Sequence, residues 1–315
     1  MAGRQIPGDE WANERRAALL ARRAEQRRRQ TRRRRLGALG AILVAAGVIV
    51  VLGMHLASSS HGPARPTKAV RPTGGLVRPS GGLVRNATPQ PDWQPYTGPV
   101  PILEYHVLGP APAAAAYPEL YVSRPDFHRQ MSWLAEQGYQ AVTLEAVEDA
   151  WYQGGKLPAK PVVISFDDGY RPQFTYALPE LRKHGWPGLL NLKAEGSDLY
   201  ESNVRAMIAA GWELAAHTIH HSDLTTLEAA ALKEEVAGSR AILRREYGVP
   251  VKNFCYPAGR FDEAVIAAVE AAGYTGATTE IRGFASRGAP YELDRFEILG
   301  SEGVAGLAAD LRSGS

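Results

Sequence analysis

From Pro99 onward, short apolar runs alternate with segments of helical periodicity, and this alternation constrains the fold more than any other feature. VPILEYHVL, QAVTL, PVVISF, GLLNLKA, WELAAH, NFCYPAG and TGATT read as strands. The helical segments lie between them. RPDFHRQMSWLAEQG carries Ser123 as N-cap, Asp126 three residues on and Gly138 as a stop. PQFTYALPELRKHG holds an internal proline, Pro179, which predicts a kink. SNVRAMIAAG, DEAVIAAVEAAG and the long amphipathic TTLEAAALKEEVAGSRAILRREYG complete the set. Short strands alternating with helices predict a parallel sheet. The sheet is closed or open; about seven units suit an α/β fold, a distorted (β/α)7-type barrel, complete or incomplete, whose chemistry sits at the C-terminal ends of the strands.

The chain ahead of this region is of another kind. Residues 1–35 hold twelve Arg and four acids, a net of +8, whereas the remaining 24 basic and 29 acidic residues give −5. The basic character is therefore a property of the tail. Residues 36–56, LGALGAILVAAGVIVVLGMHL, carry no Asp, Glu, Lys or Arg over 21 residues, long enough to span a bilayer. Arg before such a span predicts a cytoplasmic N-terminus, with the chain beyond the span outside the cell membrane. A cleaved signal peptide is the competing reading, weakened by the long tail and the long apolar run. Topology accounts for the Arg run, so no nucleic-acid partner is expected. Residues 57–98 are rich in Pro, Gly and Ser and repeat RPTGGLV as RPSGGLV, which reads as a flexible spacer. The expected organisation is thus tail 1–35, single-pass anchor 36–56, linker 57–98 and an extracytoplasmic domain over 99–315. One cysteine, Cys255, excludes an intramolecular disulfide. No obligate protein partner is evident.

PVVISF runs straight into two adjacent carboxylates, Asp167 and Asp168, then Gly169. Two aspartates side by side repel, and burial makes ionising both costlier. WELAAH delivers His217, His220 and His221 to the same rim, and the first strand delivers His106. A catalytic zinc site takes three imidazole or carboxylate ligands and leaves one position open. One Asp with two His meets that count, and the other Asp is left to take a proton from water. The cation in turn makes the second ionisation tolerable.

Ser165-Phe166-Asp167-Asp168-Gly169 followed by His217-Thr218-Ile219-His220-His221 resembles the first two motifs of the polysaccharide deacetylases, carbohydrate esterase family 4. FCYPAG, residues 254–259, resembles the third motif of exopolysaccharide-type members. The resemblance covers about residues 99–300. It implies Asp167 as general base, Asp168, His217 and His221 as ligands of a divalent metal (Zn2+, with Co2+ or Ni2+ as alternatives), Thr218 as a brace of the histidine loop, and a backbone N–H near Tyr256 as oxyanion donor. The chain departs from the pattern in two places. No Arg precedes the third motif, and Arg295 in ELDRFEIL is the replacement candidate. No His comes after His221, and ILEYHVL resembles the N-terminal L-x-Y-H of permuted members, which makes His106 the candidate general acid.

The resemblance implies hydrolysis of N-acetyl groups from an N-acetylglucosamine polysaccharide, with exopolysaccharide, peptidoglycan of the cell wall and chitin-like polymers all open. Two alternatives stand beside it, a membrane-tethered glycan-binding protein of little activity and an O-acetyl esterase using the same site. His128, His184 and His220 read as structural. Trp186 and Trp212 read as core before sugar platform, Tyr170 with them, and Cys255 as a buried filler.

Overall fold

The computed structural model describes residues 82–312. The expected anchor, residues 36–56, lies outside them, as does the Arg-rich tail. Among the described residues no helix is long and apolar enough to cross a membrane.

Seven parallel strands close into a barrel. They are β1 (Ile102–Tyr105), β2 (Pro161–Asp167), β3 (Leu189–Leu192), β4 (Glu213–Ala216), β5 (Asn253–Cys255), β6 (Gly276–Arg282) and β7 (Leu293–Glu297). Each pairs with its successor, and β7 pairs with β1, which closes the ring. QAVTL supplies only Gln140–Ala141, a short strand added outside β2. Every residue of β2 is buried, as a parallel strand covered on both faces requires.

The helices flank the barrel: α1 (Arg124–Glu136), α2 (Leu144–Gln153), α3 (Leu178–His184), α4 (Glu201–Ala209), α5 (Ala229–Lys233), α6 (Ser239–Tyr247), α7 (Glu263–Ala271) and α8 (Gly303–Arg312). Ser123 caps α1 as its sequence predicts, accepting from the Asp126 N–H at 3.1 Å. Pro179 lies inside one continuous helical run, 171–184, and the run is irregular just ahead of it, with a π-turn over Gln173–Ala177. The long helix read from residue 225 onward runs continuously over 229–247, with a π-turn, Glu234–Gly238, between α5 and α6.

Two further differences matter for the site. Residues 283–292 join β6 to β7 without a helix, and β7 itself, LDRFE, is too polar to read as a buried strand. And residues 82–98, read from composition as linker, pack against the domain. Val84 N–H donates to Ala210 O at 2.9 Å, Asn86 Nδ2 to Ala141 O at 3.1 Å, and Gln94–Pro95 pairs with Lys156–Leu157. Trp93, 1% exposed, joins one apolar cluster with Ile102, Leu189 and Leu293, the first residues of β1, β3 and β7. An indole at the barrel's N-terminal end buries more apolar area than the Pro and Gly around it suggest.

Candidate active site

The opposite end of the barrel carries the chemistry. Asp167 closes β2, and the chain then turns sharply: Asp168 has φ 72° and Gly169 φ 78°. A side chain on Gly169 would lie 2.4 Å from Ser197 Oγ, so glycine is required for space as well as for dihedral. Thr218 (φ 63°), His221 (φ 60°) and Ala258 (φ 52°) complete the set of non-glycine residues in left-handed conformations among the described residues. All four lie in the three motif loops. Such conformations persist where the surroundings over-determine them, and here the surroundings are the site.

Asp168, His217 and His221 converge. His217 Nε2 lies 3.9 Å and His221 Nε2 3.6 Å from Asp168 Oδ1, and one donor atom from each falls within 4.8 Å of the others. His217 Nδ1 is 2.8 Å from Cys255 O, which turns Nε2 toward Asp168. Burial, with the His217 ring beside it, holds His221 down at about 4, so it is neutral near pH 7, as a ligand must be. Burial opposes ionisation of Asp168, but His217, His221 and Lys193 prevail and its carboxyl stands below the usual range. The donor set of one carboxylate and two imidazoles fits a borderline divalent cation. Lys193 Nζ lies 3.5 Å from Asp168 Oδ1.

Thr218 braces the loop as expected, accepting from His221 N–H at 2.9 Å. A second brace escaped the sequence reading. Glu235, in the π-turn before α6, accepts from the amides of Ile219 (2.9 Å) and His220 (3.0 Å) and from Ser222 Oγ (3.0 Å). His220 Nδ1 sits 2.7 Å from the same carboxylate and its ring faces solvent, so His220 is structural.

Asp167 is 2% exposed and Arg295 1%. Arg295 Nη1 donates to Asp167 Oδ1 at 2.9 Å and Nη2 to Oδ2 at 3.0 Å, a two-pronged pairing, while Nε donates to Thr279 O at 2.7 Å. Arg295 thus reaches Asp167 from β7, as its candidacy required. Asn191 on β3 adds a donor the sequence did not single out, Nδ2 to Asp167 Oδ1 at 2.7 Å. Burial pushes Asp167 toward its neutral form; Arg295, His217 and His106 outweigh it and hold the carboxyl well below its ordinary range. Cys255 Sγ touches Asp167 Oδ2 at 3.4 Å and is wholly buried. Burial pushes that thiol up, which disarms it as a nucleophile.

His106 follows β1 at the same rim. Gln173 Nε2 ties its carbonyl (2.9 Å) to that of Asp167 (2.7 Å). Its Nε2 lies 3.8 Å from Glu104 Oε1, a fully buried carboxyl that the sequence reading passed over. Tyr256 does not place its amide as the resemblance implies. Its N–H donates to Thr278 O at 3.1 Å in the sheet and its hydroxyl to Tyr291 O at 3.0 Å. The amide is committed to β6 and is not free for an oxyanion. Trp186 and Trp212 are core, Trp212 stacked on Phe166 at 5.1 Å.

A polysaccharide deacetylase profile matches residues 154–277, the stretch that holds both aspartates and the histidine loop. The polysaccharide deacetylase homologue YxkH of Bacillus subtilis (strain 168) is 31% identical over 214 residues, 66% of this chain and 74% of that protein. The chain belongs to the polysaccharide deacetylase family. Its activity is that of a hydrolase, a polysaccharide deacetylase. The solved Streptococcus pyogenes deacetylase PplD, in complex with acetate, superposes with TM-score 0.63 at 23% identity, over 68% of this chain and 99% of that one. IcaB from Ammonifex degensii superposes with TM-score 0.59 at 23% identity, over 68% and 97%. Both share the fold of this deacetylase. A 60-residue segment, 19% of the chain, is 42% identical to the poly-beta-1,6-N-acetyl-D-glucosamine N-deacetylase of Escherichia coli (strain K12), of which it spans 9%.

Proposed function

We propose that this deacetylase removes N-acetyl groups from an N-acetylglucosamine polymer, releasing acetate, with a divalent cation, Zn2+ foremost, held by Asp168, His217 and His221. One observation carries the reading. A buried carboxylate, kept ionised by a two-pronged guanidinium, stands next in sequence to a three-donor Asp-His-His cluster. When bound, the cation polarises an acetamide carbonyl and shields developing negative charge. Asp167 takes a proton from the attacking water. Arg295 and Asn191 fix its carboxylate through the donors already described. His106, as imidazolium, gives its proton to the leaving nitrogen. The segment shared with the Escherichia coli enzyme favours a β-1,6-linked polymer. The apolar run 36–56 favours a membrane anchor that presents the domain outside the cell.

The test is acetate release by the full-length protein on poly-N-acetylglucosamine, chitin oligomers and peptidoglycan, with and without chelator. Chelator-sensitive release is expected. Asp167→Asn is expected to lower kcat by about 10²- to 10⁴-fold with metal still bound. Full activity in that variant removes Asp167 from the base role. Release from O-acetyl esters but never from amides turns the reading to an esterase. Metal binding without release from any substrate turns it to a glycan-binding protein.

A further inference from the structure

The rim holds a second set of converging donors. Glu297 on β7 is the register partner of Glu104 on β1, and His106 lies two residues on. One donor atom each from Glu104, His106 and Glu297 falls within 4.8 Å of the others. Glu104 is 0% exposed, yet neither carboxylate oxygen accepts a hydrogen bond. Its two oxygens face different ways. Oε2 lies 3.2 Å from Arg295 Nη2, and Oε1 faces His106 Nε2 at 3.8 Å. Arg295 has its two-pronged pairing with Asp167, so its one positive charge is shared by two buried carboxyls. A buried carboxyl with an open oxygen, a second carboxylate and an imidazole make a donor set for a borderline cation.

We propose that Glu104, His106 and Glu297 form a second cation site, which takes a Zn2+-like ion. This site is distinct from Asp168, His217 and His221, and it shares no residue with them. It rests on the reading of His106 as general acid for its consequence. An ion on Nε2 takes the lone pair that otherwise carries the proton, so filling the site stops proton donation to the leaving nitrogen. The first site supports the reaction, and the second inhibits it. The second is the weaker, because Arg295 beside Glu104 repels an incoming cation. Activity therefore rises and then falls as zinc is added.

The experiment is a zinc-binding isotherm on the full-length protein, read beside acetate release over the same zinc range. Two classes of site are expected in the wild type, and release falls as the second fills. Glu297→Gln is expected to weaken the second class by more than about tenfold, leave the first unchanged and abolish inhibition by excess zinc. Anomalous scattering from zinc-soaked crystals of the wild type gives an answer that needs no variant, with a second peak expected between Glu104, His106 and Glu297. A single class of site, a single peak, or a Glu297→Gln isotherm identical to wild type overturns the proposal. Two sites in a protein that releases no acetate from any substrate leave the second site standing and fault only the deacetylase reading.

Discussion

Both ends of the barrel bury carboxyl groups, and Asp167 at one end is treated in the opposite way to Glu213 and Glu148 at the other. At the C-terminal rim Asp167 meets Arg295 face to face and stays ionised far below the usual range. At the N-terminal end Glu213, the first residue of β4, accepts from Glu145 N–H at 3.0 Å and Asn253 Nδ2 at 3.1 Å, and Glu148 accepts from Thr275 Oγ1 at 2.9 Å. Among the described residues no guanidinium donates to either, and Lys252 opposes the rise of Glu148 only in part. Burial pushes Glu213 up to about 7, and burial with Glu213 as neighbour pushes Glu148 to about 7. Neutral donors satisfy a carboxylate without cancelling its charge, so of these three buried carboxyls it is Asp167 that stays ionised near neutral pH.

The largest effect should come from making the rim resemble the other end. Arg295→Met leaves Asp167 buried without its counter-charge. Removing one partner of a buried pair costs about 3–5 kcal/mol, and acetate release should fall to background near neutral pH. The sign comes from the charge. With Arg295 present the folded-state carboxyl is depressed, so its contribution to stability exists above the ordinary carboxylate range and is lost as pH falls through it. Without Arg295 burial dominates and the carboxyl rises. The acid limb of kcat against pH should move to higher pH, and an unmoved limb would show that Arg295 does not set the state of Asp167.

Next in size is the apolar plug. Trp93→Ala at the N-terminal end should cost about 3–5 kcal/mol, read as a lower urea midpoint. The rim residues lie on other elements, so kcat per folded molecule should hold at low temperature. A fall in kcat as large as the fall in stability would mean that the two ends are not independent.

What the sequence disclosed obeys the same division. Asp167, Asp168 and His217 were legible because each stands at or directly after the end of an apolar strand, and His221 because it lies four residues beyond His217. His106 was legible because it too directly follows an apolar strand. Arg295 was found only through the absence of an Arg elsewhere, since β7, with its Asp and Glu, looks like surface. Its pairing with Asp167 spans 128 positions of sequence and is created by barrel closure. Glu104, Asn191 and Glu235 left no signal. A single polar residue in an apolar strand or on a helix cannot declare its partner before the fold supplies one. The N-terminal boundary was misread because composition counted Pro and Gly and missed one indole. The Tyr256 amide failed as an oxyanion donor because β6 continues alongside it, which the short run TGATT did not show.

A smaller effect separates the two ends by pH. Glu213 and Glu148 both titrate higher folded than unfolded, so the native state holds more protons than the unfolded chain between the ordinary value of 4.5 and about 7. Their contribution is present below that window and is lost as pH rises through it. Glu213→Gln removes one of the two ionisations and relieves Glu148 of its neighbour. The variant should therefore lose less stability than wild type between pH 5 and pH 8, by about 2 kcal/mol after allowing for the partial exposure of Glu213. Urea midpoints at the two pH values measure it. Parallel losses in both proteins would mean that Glu213 is ionised throughout.

The smallest effect falls on the rim and asks whether Asp167 needs placement as well as charge. Asn191 gives Asp167 one short bond, 2.7 Å, while its own Oδ1 is buried with no donor. Asn191→Leu, close in shape, deletes the bond and the stranded acceptor together, and the two losses offset. Stability should change by less than about 1 kcal/mol. Arg295 remains, so Asp167 stays ionised and the acid limb stays where it is. What is lost is the second direction of restraint on the carboxylate, since Arg295 holds it from β7 alone. kcat should fall about five- to tenfold with KM unchanged. An unchanged kcat would mean that Arg295 both charges and places the base. A shifted acid limb would instead make Asn191 part of the electrostatic balance, and the contrast between charged and neutral donors at the two ends would then be one of degree.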